Sequence, residues 1–240
     1  MKKSTIYFLT LEDIKDENIL FNHIYANENS NFYISDDLSK DFYINQALCG
    51  FISTSVNIKN QFYLLPEMQF EYAILDFKNL HISKKVKKLL KKNDFIFTIN
   101  KNLDEVVRNI QLQHKTNWLS SEYHKILKDL QEYKHPNIDF RLMTIEIWDR
   151  NSNTLIAGEI GYKISSTYTS LTGFCLKDKK YNNYGKLQLV LLAKYLQKNN
   201  YSFWNLGHPY MQYKFDLGAI SFSRKEFLKR WISTVSSIKS

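Results

Sequence analysis

Six lysines crowd into Ser83-Lys84-Lys85-Val86-Lys87-Lys88-Leu89-Leu90-Lys91-Lys92, with no carboxylate among them. On a helix, Val86, Leu89 and Leu90 form one inward stripe, while Lys84, Lys85, Lys88, Lys91 and Lys92 spread over the outside. Such ammonium groups repel one another unless an anion lies nearby, and nucleic-acid phosphate is the anion that fits. Each phosphate contact adds about 0.7 (single strand) to 0.9 (duplex) to the slope of affinity against salt. A solvated lysine-rich face is the other reading. His81, just before this run, reads as a base or ligand or as structural, and His23, His114, His124 and His135 read as structural. No pair of histidines has metal-ligand spacing with a third partner, and neither His-x-Glu nor Cys-x-x-Cys occurs, which argues against a metal enzyme. Cys49 and Cys175 have apolar or small neighbours and read as reduced and buried. There is no Gly-x-Ser-x-Gly elbow. Asn183-Tyr184-Gly185-Lys186 supplies one glycine where an acyl-CoA pyrophosphate cradle needs more.

These groups need a scaffold. A chain of 240 residues is one large or two small domains at about 150 residues per domain. Hydrophobic residues make up 44% and charged residues 24%, the balance of a folded soluble protein. No run of about 20 apolar residues could span a bilayer. The segment Met1–Thr10 is too short an apolar stretch before Asp13 and Asp16 for a secretory signal, so a cytoplasmic location is expected. Lys and Arg number 33 against 24 Asp and Glu, a net +9, which favours a polyanionic partner, although nucleotide bias in a genome also produces basic chains. Of seven glycines, six (Gly158, Gly161, Gly173, Gly185, Gly207 and Gly218) lie beyond residue 150, which directs the search for a site to the C-terminal half.

Ser39 caps a helix through Leu48, and Phe62–Leu65 and Tyr72–Phe77 read as strands. Ser83 opens the lysine helix, Phe95–Ile99 is a strand, and Leu103, Val106, Val107 and Ile110 mark the next helix. Another helix runs from Ser121 to Tyr133. Then Phe140–Trp148, Leu155–Tyr162 and Tyr168–Cys175 form an antiparallel meander, turned first at Asp149–Asn153. A helix over Tyr184–Gln197, a strand over Tyr201–Trp204 and a helix opened by the capping box Ser223-x-x-Glu226 complete the pattern. The fold class is therefore α/β (α+β). We expect an N-terminal α+β domain over residues 1–137 and an acetyltransferase-like (GNAT) domain with a mostly antiparallel sheet over residues 138–240.

One ordered series of segments carries a resemblance. It comprises Asn79 to Lys88, Phe95 to Ile99, Asp104-Glu105-Val106-Val107, Trp118-Leu119-Ser120 and Ile145-Glu146-Ile147-Trp148. It continues with Leu155-Ile156-Ala157-Gly158, Gly185-Lys186, and Leu217-Gly218-Ala219 with Arg224 and Phe227-Leu228. Over about residues 34–231 the chain resembles leucyl/phenylalanyl-tRNA protein transferases. The resemblance implies an acetyltransferase-like second half and transfer of an amino acid from the 3′ end of its tRNA to the N-terminal amine of a protein, an N-degron that marks it for degradation. It implies no metal, no acyl-CoA and no other cofactor, with aminoacyl-tRNA as co-substrate. It further implies a cytoplasmic monomer without membrane contact, whose partners are aminoacyl-tRNA and acceptor N-termini. An aminoacyl ester is already activated, so positioning and oxyanion stabilisation suffice without a covalent nucleophile. Lys84, Lys85, Lys88, Lys91 and Lys186 would hold tRNA phosphates, an apolar pocket would take the amino acid, and the terminal adenosine would stack on an aromatic ring.

The chain departs from the family pattern at informative places. Where the family carries an Asp-x-Gln pair, this chain reads Trp204-Asn205-Leu206-Gly207-His208, so Asn205 and His208 are the candidates to organise the ester. His208 would accept the amine proton or is a loop histidine. Tyr168 is a further catalytic candidate. Where the family places an apolar methionine, Ala157-Gly158-Glu159-Ile160 puts a carboxylate. Glu159, with Leu171, Thr172 and Phe174, would line the donor pocket, and a buried carboxylate is partnered best by a cationic side chain such as arginine. The alternative places Glu159 on the solvent face of its strand. Met211-Gln212-Tyr213-Lys214 is similar to the Met-x-Tyr-Lys segment of arginyl-tRNA protein transferases, although their N-terminal cysteine cluster is absent. A tryptophan-rich segment after Gly50 is missing, with Phe62–Glu67 a loose counterpart. Arginine is therefore the favoured donor and Leu or Phe the possible one, with acidic acceptor termini. An acyl-CoA-dependent N-acetyltransferase and a non-catalytic RNA-binding module are the alternatives.

Overall fold

A computed structural model of the chain describes residues 6–114 and 118–236. Lys2 and Lys3, which open the segment read for a leader, lie outside the described residues. The chain begins with β1 (Tyr7–Phe8), α1 (Leu11–Lys15), a π-helical segment (Ile19–Tyr25), β2 (Tyr33–Ile34) and α2 (Lys40–Leu48). A hairpin of β3 (Ile52–Ile58) and β4 (Gln61–Glu67) follows, then β5 (Glu71–Leu75), α3 (Lys84–Lys92), β6 (Phe95–Ile99), α4 (Leu103–Gln113) and α5 (Ser121–Glu132). The remainder is β7 (Phe140–Asp149), β8 (Leu155–Ile164), β9 (Thr167–Cys175), α6 (Tyr184–Lys198), β10 (Phe203–Asn205), α7 (Gln212–Asp216), β11 (Ile220–Ser223) and α8 (Arg224–Val235).

Local chemistry sets most of these boundaries. Ser39, Ser83, Asn102 and Ser120 each accept a backbone N–H three residues on and so start α2, α3, α4 and α5. Ser223 and Glu226 form the capping box of α8. Asn93 ends α3 in the left-handed conformation, φ 52°. Asp149 Oδ1 accepts the N–H groups of Asn151 and Ser152 and turns β7 into β8. Phe77, expected in a strand, instead starts a 3-10 turn over Phe77–Asn79.

Seven strands form one sheet in the order β11-β5-β10-β9-β8-β7-β6. All neighbours are antiparallel except β9 and β10, which run parallel because α6 carries the chain back across the sheet. The expected meander and crossover are present, and the class is α/β with a mostly antiparallel sheet. The sheet takes β5 and β6 from before residue 137 and its other strands from after it, so a cut there would divide it. One apolar layer packs residues of α2, α4, α5 and α8 (Phe42, Val106, Leu127, Phe227) beside Leu142, Tyr162 and Phe203. The opposite layer packs Val86 of α3 and Leu187, Val190 and Leu196 of α6 against Ile145, Ile147 and Trp204. A helical layer packs on each face of the sheet, and β10 ends at Asn205 opposite Thr169 while β9 runs on to Cys175, so the rest of β9 has no β10 partner where the cleft lies.

Candidate functional site

A cleft of about 530 Å³ is lined by Glu159 of β8, by Leu171, Thr172 and Phe174 of β9, by the start of α6, by Leu206 just beyond β10, and by Tyr213 and Lys214 of α7. Pairing of β8 with β9 sets Glu159 opposite Gly173, and the register then slips between Ile160 and Gly161. A Cβ on Gly161 would stand 2.3 Å from the Tyr168 hydroxyl. The missing side chain therefore lets that ring lie over the strand and reach Glu159. Likewise a Cβ on Gly158 would stand 2.8 Å from the Phe174 ring.

The Glu159 carboxylate accepts hydrogen bonds from Ser170 Oγ (2.5 Å), Gln188 Nε2 (3.1 Å) and Tyr168 OH (3.2 Å). Ser170 in turn accepts from Trp204 Nε1 at 2.8 Å. Glu159 is 4% exposed, which overturns the solvent-face alternative. Burial raises its pKa, and the three donors together with the Lys214 ammonium pull it back. Lys214 is also buried, and its Nζ donates to the carbonyls of Leu206 (2.5 Å) and His208 (2.6 Å). The cleft thus holds a carboxylate and an ammonium, each tied by internal hydrogen bonds.

The other candidate residues sit as follows. Tyr168 is fully buried, with its hydroxyl committed to Glu159. Asn205 is 1% exposed, and its Oδ1 accepts the Gly207 N–H at 2.9 Å, closing the turn after β10. His208 Nε2 lies 2.9 Å from Glu67 Oε2, a carboxylate that also accepts from Asn31 Nδ2 at 2.6 Å, and the imidazole stacks on Tyr210. Among the described residues, neither Asn205 nor His208 lines the cleft. Lys84, Lys85, Lys88 and Lys91 are exposed on α3, with Val86 buried beneath them. Lys186 pairs with Asp216 at 3.1 Å. A second groove, about 210 Å³, runs between α3, α6 and α7, and Lys186, Leu189 and Tyr213 line both it and the cleft. The two hollows are therefore neighbours that share these three wall residues. His81 bonds the Asp216 carbonyl through Nδ1 (3.0 Å) and His114 the Gly173 carbonyl through Nε2 (3.1 Å).

Gln188 is absent from the candidates read from the sequence, and Lys214 enters them only as the end of the Met211-Gln212-Tyr213-Lys214 segment, with no role assigned. The signal for Gln188 was an amide on the otherwise apolar face of α6. For Lys214 the Met-x-Tyr-Lys likeness was the signal, but its burial against the Leu206 and His208 carbonyls is set by the loop around it. A Cβ on Gly185 would stand 3.2 Å from Cys175 Cβ, so this glycine's bare face is used in packing rather than in a phosphate cradle. Among the described residues, no group of three His, Cys, Asp or Glu is placed to hold a metal ion, and no helix is long and apolar enough to cross a membrane.

The sequence model of the family described as leucyl/phenylalanyl-tRNA protein transferase matches residues 74–231, more than half of the chain. The chain belongs to that family. Its membership makes it an enzyme of the transferase class. Relatives named leucyl/phenylalanyl-tRNA protein transferase include one from Flavobacterium johnsoniae, 29% identical over 160 residues, covering 65% of this chain and 69% of that one. Another is from Flavobacterium psychrophilum, 29% identical over 161 residues, covering 65% and 70%. Among solved structures, FemX is 9% identical with a TM-score of 0.47, over 82% of this chain and 71% of FemX. L-PGS from Bacillus licheniformis is 11% identical with a TM-score of 0.40, over 73% of this chain and 52% of that one.

Within this family member, Glu159 is where the expectation of an arginine donor meets the structure. That expectation rested on the Met211–Lys214 likeness and on a buried carboxylate lacking a partner, yet three side-chain donors and a nearby ammonium already satisfy the carboxylate. Glu159→Gln is expected to cost about 1–2 kcal/mol in thermal unfolding at acidic pH, because the amide offers a single acceptor oxygen and turns its NH2 toward the remaining donors. The folded carboxyl titrates above its ordinary 4.5. Its contribution is therefore fully present below that value and is lost as pH rises through the folded pKa, so the wild type's margin over the Gln variant is expected to shrink across that window.

Proposed function

We propose that this chain transfers leucine or phenylalanine from its tRNA to the N-terminal amine of an acceptor protein, marking it for degradation. The observation that carries this reading is a cleft walled by Leu171, Phe174, Leu189 and Leu206, whose lining residue Lys186 it shares with a neighbouring groove that reaches Val86 of the lysine-faced helix α3. Phosphates of the acceptor stem lie on Lys84, Lys85, Lys88 and Lys91, and the 3′ end passes Lys186. The amino-acid side chain then packs on the apolar wall, where burial of a Leu or Phe side chain contributes about 1.5–3 kcal/mol. An arginine donor would have to displace internal hydrogen bonds of Glu159 to be paired. The arginine preference is without support from the family, whose named activity concerns Leu and Phe.

In this scheme Glu159 and Thr172 shape the pocket floor. Tyr168 fixes Glu159, while Asn205 and His208 hold the loop that brings Leu206 to the cleft, which makes them positioning groups. The ester carries its own activation, so neither a covalent nucleophile nor a cofactor is required. Transfer from radiolabelled Leu-, Phe- and Arg-tRNA to peptides beginning with Arg, Lys, Asp or Glu tests the reading. Leu or Phe moving to a basic terminus is the expected outcome. Arginine moving to an acidic terminus would overturn the donor assignment, and no transfer from any donor would overturn the reaction.

A further inference from the structure

We propose that Lys214 is a catalytic residue whose ammonium donates a hydrogen bond to the oxyanion formed when the acceptor amine adds to the aminoacyl ester. The inference rests on the transfer reaction proposed above. An ammonium has three N–H donors and no acceptor. Two of the Lys214 donors are held by the carbonyls of Leu206 and His208, at 2.5 and 2.6 Å. The side chain lines the cleft, so the third donor is the one available to a substrate atom there. Those two carbonyls flank Gly207 in the loop where the family pattern led us to expect ester-organising side chains. Here Asn205 turns inward to the Gly207 N–H and His208 turns away to Glu67. The cation that faces the cleft from this region is Lys214.

Fixed, buried donors aimed at developing charge need little reorganisation during reaction, and their effect is strongest where water is excluded. Lys214 meets both conditions, since its Nζ is anchored twice and the residue is 7% exposed. In the step itself, the acceptor nitrogen bonds to the ester carbon and the carbonyl oxygen becomes the oxyanion. On collapse the bond from that carbon to the ribose oxygen breaks, the nitrogen loses a proton and the ribose oxygen gains one. Lys214 stays protonated throughout and exchanges no atom with the substrate.

A cation with this duty fails once it titrates. Burial pushes the Lys214 ammonium down to about 8, and the Glu159 carboxylate opposes that shift. The other titratable groups around the cleft are Cys175 on β9, Lys186 on α6, His114 beyond α4 and Tyr213 on its own helix. An acceptor α-amine, which titrates at about 8, gives a rising limb with pH. Lys214 adds a falling limb, so the wild-type profile is a bell.

The test is single-turnover transfer from Phe-tRNA to a peptide with N-terminal arginine between pH 6.5 and 9.5, corrected for spontaneous ester hydrolysis, in wild type, Lys214→Arg and Lys214→Met. The expected result is a loss of about a hundred- to a thousandfold in the maximal rate for Lys214→Met, with tRNA affinity little changed. Lys214→Arg is expected to recover part of the rate and to lose the falling limb, which a purely structural role would not produce. A Met variant as fast as wild type, or a wild-type profile without a falling limb, would overturn the proposal. If the Met variant fails to fold, the wild-type profile still decides. Wild type inactive with every donor would instead overturn the transfer reaction itself.

Discussion

Alanine at Lys84, Lys85, Lys88 and Lys91 together is expected to weaken tRNA binding more than about a thousandfold near 0.1 M salt, since each duplex phosphate contact carries about 0.9 of the salt slope. The slope of log affinity against log salt should fall by between about 3 and 4. The fold should not notice, because all four side chains are exposed while Val86, Leu89 and Leu90 make the inward stripe of α3. Filter binding or anisotropy across a salt series, with a thermal melt as control, measures both effects. An unchanged slope would return the helix to a solvated lysine-rich face.

Gly218→Ala is expected to destabilise the chain by about 3 kcal/mol or more, a drop of roughly 6–12 °C in melting temperature for a chain of this size. Gly218 has φ +109°, and a Cβ there would lie 2.0 Å from the Asn79 carbonyl oxygen. That oxygen belongs to the backbone, so relief requires moving the segment before α3 away from the end of α7. The two are clamped by His81 N–H to the Leu217 carbonyl (2.9 Å) and by His81 Nδ1 to the Asp216 carbonyl (3.0 Å). Prising them apart separates the lysine helix from the helix that carries Lys214, so tRNA affinity should fall along with stability. Gly207→Ala provides the control. Its φ is +72°, but a Cβ there meets nothing closer than 3.7 Å, so its cost should be confined to the backbone conformation, about 1 kcal/mol. Equal losses at the two glycines in differential scanning calorimetry would show that the Asn79 contact carries no weight.

Much of the architecture was legible because it is dictated locally. Ser39, Ser83 and Ser223 announce their helices through caps, and the alternation from Phe140 to Cys175 announces the meander. The lysine helix could be read to the residue, since a charged face and an apolar stripe have one solution on a helix. The pocket wall of Glu159, Leu171, Thr172 and Phe174 was also within reach, as neighbours on paired strands. Other features were set at long range. α7 and β11 are short, and they hold their shape through contacts with Asn79–His81 and β5. The charge state of the cleft was misread for the same reason. That Glu159 is satisfied depends on Ser170 across the sheet and Gln188 on α6, neither adjacent in sequence. Asn205 ends β10 and His208 lies in the loop that follows, as expected, but side-chain direction there is decided by what surrounds it, here the Gly207 N–H and Glu67.

The position of β5 has a consequence for how this chain is made. It lies between β10 and β11 with Ala73, Ile74 and Leu75 wholly buried. Both partners belong to the last forty residues, β10 beginning at Phe203 and β11 at Ile220. On a ribosome adding about 5–20 residues per second, this apolar strand waits roughly 6–26 seconds after its own synthesis before either edge has a native partner. During that interval a nascent chain offers two unpaired edges to any other strand in reach. Shielding of that strand until β10 and β11 emerge would then favour native pairing over association with another chain.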